Sequence, residues 1–219
     1  MQDKYNKDGF VVVDNFLPTD KYDELVEIFN NGKFKEIKQI KENRYDLWKT
    51  DNIHFPSIDE DYMANFWSSF EVANNSVTIS IYDMYIKPLL ERLSNQKNQM
   101  VRHQATKYKR NGKDFTRVHY DDYMGSIGYI LYLTKHNWKY DWGGQLQILK
   151  DDVKTILPHP NRLVIINHSL KNPHWVTPTN KWSKEDRRTI TGFCLKSGMS
   201  IPETWKNRKD ISVKLWKEN

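Results

Sequence analysis

A chain of 219 residues, 38% hydrophobic with a mean hydropathy of −0.81, suits one domain long enough to bury a core without disulfides. Eight Trp and twelve Tyr argue against disorder, and a net charge of +6 permits nucleic acid or an acidic partner while requiring neither. A single cysteine, Cys194, excludes an intrachain disulfide and suits a reducing cytoplasm. The N-terminus lacks the apolar run of a signal peptide, and no stretch approaches the ~18 apolar residues of a membrane span. Basic clusters at 33–44, at 107–117 and near the C-terminus read as solvated faces.

GFVVVDNFLP (9–18) is a short β-rich run stopped by Pro18. TDKYDELVEIFNNG reads as a helix, with Thr19 as N-cap, Leu25, Ile28 and Phe29 on one face and Gly32 as its stop. Residues 33–62 keep no clean period and read as an irregular insertion carrying Trp48, His54 and Phe55. Over 63–95, residues such as Phe66, Phe70, Val77, Ile81, Leu89 and Leu93 recur at helical spacing, with Pro88 as a kink or restart. From about residue 100 the pattern changes to eight short strands: 101–109, 115–121, 127–134, 144–149, 152–157, 162–167, 174–178 and 187–195. Gly112, Gly125, Gly143, Gly144, Pro158 and Pro160 punctuate them. Short strands at even spacing predict a double-sheet jelly roll. The expected class is α+β, a double-stranded β-helix core with N-terminal helices packed outside. One domain covers 1–219: helical support over 1–99, the β-core over 100–195 and an extension over 196–219.

Inside the strand region, RVHYDDYMG (117–125) sets His119 and Asp121 two apart. With 7 His and 18 Asp in the chain, one such pair is close to chance, so it decides nothing alone. In a strand, residues i and i+2 share a face, which makes Asp121, not Asp122, the partner of His119. A second histidine would complete a two-His, one-carboxylate set with open positions, the usual set of non-haem Fe(II) enzymes. Tetrahedral zinc draws more often on Cys or His spacings that this chain lacks. His168 and His174, in NRLVIINHSLKNPHWVTP, are the candidates: His168 ends an apolar strand and His174 opens the next.

Five segments in order resemble the Fe(II)/2-oxoglutarate-dependent oxygenases, in their prolyl 4-hydroxylase-like branch. They are HYD (119–121), YLTKHNW (132–138), WGGQLQI (142–148), PNRLVIINHSLKNPHWVTP (160–178) and RRTITGF (187–193). The likeness covers 100–195 and, more loosely, 9–30. It implies Fe(II) held by His119, Asp121 and His174. It also implies 2-oxoglutarate chelating the iron, its distal carboxylate buried against a cation. Strand parity with the family's pattern then chooses Arg187, with Thr189 beside it, and turns Arg188 outward. Tyr132 and Tyr108 are placed by the same analogy within reach of the cosubstrate. The family's Asn and Glu are Thr134 and Gln145 here, departures away from the metal. Trp142 and Trp175 read as packing residues.

The implied reaction is a dioxygenase hydroxylation of a C–H bond, above all of a prolyl residue in a protein or peptide. It consumes O2, releases succinate and CO2, and takes ascorbate as a supporting reductant. The insertion over 40–60 would serve as a lid over a peptide. A small-molecule or free amino-acid hydroxylase is the alternative, and a non-catalytic jelly-roll binding module the second. Nucleic-acid demethylation fits the charge but not the last strand, where Phe193 and Cys194 stand in place of the second arginine marking that branch.

Overall fold

Alternating side chains in the second half serve two interiors at once, and that double duty shapes the molecule. The computed structural model describes residues 1–40, 62–95, 101–119, 121, 127–170, 172–194 and 212–214. In chain order come α1 (Gln2–Asp8), β1 (Phe10–Val13), α2 (Thr19–Asn31), β2 (Lys35–Ile40) and β3 (Tyr62–Ser69). Then follow α3 (Phe70–Ala73), α4 (Ser76–Ile81), a π-helical turn (Tyr82–Ile86) and α5 (Lys87–Ser94). The core strands are β4 (Val101–Tyr108), β5 (Phe115–His119), β6 (Ile127–Tyr132), β7 (Leu146–Leu149) and β8 (Val153–Ile156). They continue with β9 (Leu163–Asn167), β10 (His174–Val176) and β11 (Arg187–Cys194), and β12 (Ser212–Lys214) follows.

Every pairing is antiparallel. The order is β1-β9-β6-β11-β4-β3-β5-β10-β7-β8, with β12 beside β4 and β2 beside β3. The sheet curls until its two ends share one interior: Val164 and Ile166 of β9 pack with Leu146 and Ile148 of β7 and with Val176. The odd-numbered partners on β9, Leu163 and Ile165, point the other way, into a core with Leu25, Phe29, Ile81 and Leu90 of the helices. A strand buried on both faces must be apolar throughout, which explains the unbroken LVII. Leu163, fully buried in the helix-facing core, tests this layer. Leu163→Ala is expected to cost about 2–5 kcal/mol in urea unfolding.

All eight strands expected after residue 100 form, with trimmed ends, and the helices pack outside them. Corrections fall in the first half. Residues 62–69 are a strand, not helix: Ala64, Phe66 and Ser68 alternate into the interior, and pairing with β2, β4 and β5 overrides the apolar spacing. Residues 35–40, read as irregular, are its hairpin partner. Thr19 is the first helical residue rather than the cap, and Pro18 holds the cap position with no side-chain bond. Gly32 does close that helix, and Pro88 sits in the first turn of α5, as a restart. The short α1 carries no sequence signal beyond Gly9, which closes it at φ 78°. The proposed lid over 40–60 lies, but for residue 40, outside the described residues.

Candidate metal and cosubstrate site

β10 lies between β5 and β7, and its register sets His174 directly opposite His119. Between that pair and the next, Val176 opposite Thr116, β10 advances two residues and β5 three. The extra residue is a bulge in β5. It lets His119 and Thr116 both turn inward although their spacing breaks strand parity. Asp121 follows just past the strand end, not within it, and is buried. One ligand atom from each of His119, Asp121 and His174 falls within 4.8 Å of the others. Asp121 Oδ2 lies 3.6 Å from His119 Nε2 and 3.2 Å from His174 Nε2.

Both rings are aimed from behind. His119 Nδ1 donates to the Arg117 carbonyl at 2.8 Å, and His174 Nδ1 donates to the Asn172 carbonyl at 3.0 Å. A proton held on each Nδ1 leaves each Nε2 lone pair facing the carboxylate, the arrangement a metal requires. Burial alone would push the Asp121 carboxyl up, but His119 and His174 outweigh it and hold it well below the usual range. Burial likewise disfavours charge on His119, and the facing Asp121 carboxylate outweighs it, leaving His119 above its ordinary value. Two imidazoles and one ionised carboxylate on one side of a point fit Fe(II) and leave its other side open.

Deeper in the same interior, Arg187 is 2% exposed. Its guanidinium lies 4.8 Å from the Tyr108 ring and 5.1 Å from the Tyr132 ring. One terminal nitrogen reaches the Tyr132 hydroxyl at 3.5 Å, and Nε has no partner. Among the described residues no carboxylate pairs with it. A cation buried without an anion is costly, so its presence fits a ligand carboxylate at this point. Arg188 points the other way and donates to Asn30 of α2 at 2.9 Å, which supports the parity choice. Thr189 also faces in, but its hydroxyl is bonded to Thr106 at 2.5 Å. Tyr108 is bonded to Thr116 at 2.8 Å. Burial pushes both Tyr108 and Tyr132 up, so each stays a neutral hydroxyl.

Thr106 and Thr116 are the lining residues that sequence reasoning missed. A signal existed in β4: Arg102, Gln104, Thr106 and Tyr108 alternate with His103 and Ala105, and all six are buried. Buried polar groups on one face of a strand mark a pocket wall. His168, the other candidate ligand, is not part of the metal cluster. It is buried, stacks on Phe193 at 5.5 Å, and burial lowers its pKa to about 3. Thr134 donates to the Pro158 carbonyl and Gln145 to the Tyr140 carbonyl, so both departures hold loops. Trp142 and Trp175 are buried packing residues.

Residues 103–195 match the 2OG-Fe(II) oxygenase superfamily. That match covers 93 of the 219 residues. That span contains His119, Asp121 and His174, which could hold a metal, and Arg187. The hypoxia-inducible factor prolyl hydroxylase of Caenorhabditis elegans is 26% identical over 189 residues, covering 79% of this chain. The chain spans only 25% of that relative's length. A Trichoplax adhaerens prolyl hydroxylase solved with a hypoxia-inducible factor peptide superposes with a TM-score of 0.63 at 20% identity, over 89% of this chain and 86% of its own. A Pseudomonas putida prolyl-4-hydroxylase gives 0.53 at 16% identity, over 90% and 97%. At these identities the structures establish the fold alone, a curled jelly roll with helices outside it. No helix among the described residues is long and apolar enough to cross a membrane.

Proposed function

We propose that this chain is an Fe(II)- and 2-oxoglutarate-dependent hydroxylase of prolyl residues in a protein or peptide. One observation carries the reading: a fully buried Arg187, with no carboxylate partner among the described residues, shares an interior with converging His119, Asp121 and His174. Bound there, iron supplies the coupling of 2-oxoglutarate decarboxylation by O2, to succinate and CO2, with hydroxylation of a C–H bond. His119, Asp121 and His174 would hold the metal on one side, with the Asp121 carboxylate supplying a negative charge. Arg187 would take the distal carboxylate of 2-oxoglutarate, its planar fork matching two oxygens, while Tyr132 donates its hydroxyl and Tyr108 supports the guanidinium from below. Thr189 would line the same wall. The apolar walls from Leu146, Ile148, Val164 and Ile166 exclude water, which strengthens each of these polar contacts.

The prolyl substrate is supported by the prolyl hydroxylase relative and by the family branch that the five segments resemble. We place the reaction in the cytoplasm, where Cys194 stays reduced and iron stays ferrous. The test is mass spectrometry of proteins co-expressed with the wild-type chain or with Asp121→Ala. Proline gaining one oxygen atom only with the wild type is the expected result. Succinate formation without any modified proline would overturn the prolyl reading and point to a small molecule or free amino acid.

A further inference from the structure

The segment joining β10 to β11 begins with three backbone tethers. The Gly144 N–H donates to the Pro178 carbonyl at 3.0 Å, Gly112 to Thr179 at 3.0 Å, and Asn180 to Trp142 at 2.8 Å. Thr179 is thereby fixed in place, 0% exposed, with a hydroxyl that has no partner. Its surroundings are specific. A Cβ on Gly144 would sit 2.8 Å from Thr179 Oγ1, 3.3 Å from Trp138 Cζ2 and 3.4 Å from Arg187 Cδ. Gly144 is at φ +66° and carries no side chain, and Thr179 Oγ1 and the Arg187 stem both lie against the position a Cβ would take. Arg187 Nε is likewise buried without a partner. Two orphaned polar atoms, one a donor and one able to accept, thus flank the same glycine.

We propose that Thr179 is a positioning residue for Arg187, its hydroxyl accepting the Nε–H through one bridging water. The inference rests on reading this interior as a 2-oxoglutarate site. A guanidinium can grip a carboxylate by its two terminal nitrogens or by Nε and one of them. With Nε engaged by Thr179, only the terminal edge is offered, facing Tyr132. Thr179 therefore sets the direction of the fork and, through it, the affinity for the distal carboxylate. No sequence motif marks Thr179. It lies in the polar loop that follows the His174 strand.

The experiment is calorimetric binding of 2-oxoglutarate to protein loaded with Mn(II). Thr179→Val is expected to weaken binding about tenfold, the loss of one hydrogen bond to a charged group. Thr179→Ser is expected to restore it. Oxalate has no distal carboxylate and is expected to bind wild type and Thr179→Val equally. Thr179→Ala, which adds no bulk, serves if the valine variant does not fold and gives the same loss. Wild-type affinity in Thr179→Val, or an equal loss for oxalate, overturns the inference while leaving the site reading intact. A wild-type chain that binds Mn(II) but no 2-oxoglutarate overturns the site reading itself.

Discussion

Asp121→Ala is expected to abolish turnover and to release iron during desalting, while the chain stays folded by circular dichroism. Of the three described side chains that could hold a metal, Asp121 alone is an anion, and it lies between His119 and His174. Two imidazoles remain in the variant. They bind divalent metals more weakly, and no carboxylate of the described cluster then offsets the charge of a cation in a buried site. Even residues that only support a ligand change metal affinity by about 10–100-fold, so loss of a ligand is expected to exceed about 100-fold. Iron content after desalting and succinate released in the presence of 2-oxoglutarate are the two readouts. Full activity in Asp121→Ala would remove His119, Asp121 and His174 from the metal role together. Asp121→Asn separates charge from shape: it keeps the side-chain volume and one acceptor oxygen, and is expected to lose most of the iron as well.

Legibility followed physical range. The eight core strands could be read because each is short, alternates or is wholly apolar, and is bounded by turn residues. Arg187 could be separated from Arg188 because strand parity is local, and the structure puts one in the interior and the other on Asn30 of α2. Asp121 was reached by an argument only partly met. The strand ends at His119, so the aspartate is placed by the chain just beyond it and not by the pleat. The bulge in β5 was illegible because nothing local in FTRVH marks it; it exists only in the register against β10. The strand at 62–69 was lost for a similar reason. YMANFWSS carries apolar residues that satisfy either period, and three partner strands decide between them. Thr106, Thr116 and Thr179 matter through distances across the interior, which no spacing along the chain encodes.

Arg187→Leu is expected to raise the KM for 2-oxoglutarate by about two orders of magnitude, corresponding to about 3 kcal/mol for a charged hydrogen-bonded contact in a dry pocket. Arg187→Lys keeps the charge but not the fork, and is expected to fall between the variant and wild type. Arg188→Ala removes a cation of the same strand that points away, toward α2, and is expected to leave that KM within about twofold. The same arrangement predicts a second effect of opposite sign. Without ligand, Arg187 is a buried cation held by two tyrosine faces and one long contact, with no carboxylate paired to it among the described residues. Replacing such a group by an apolar side chain of similar length removes a desolvation cost while retaining packing. The ligand-free Arg187→Leu protein is therefore expected to melt no lower than wild type, and 2-oxoglutarate, which raises the wild-type melting temperature, is expected to leave that of the variant unmoved. A variant that both loses 2-oxoglutarate affinity and melts well below wild type would make Arg187 a structural prop instead. A side chain retained at a cost to the empty fold, and repaid only when a dicarboxylate is bound, is what distinguishes a binding residue from a packing one.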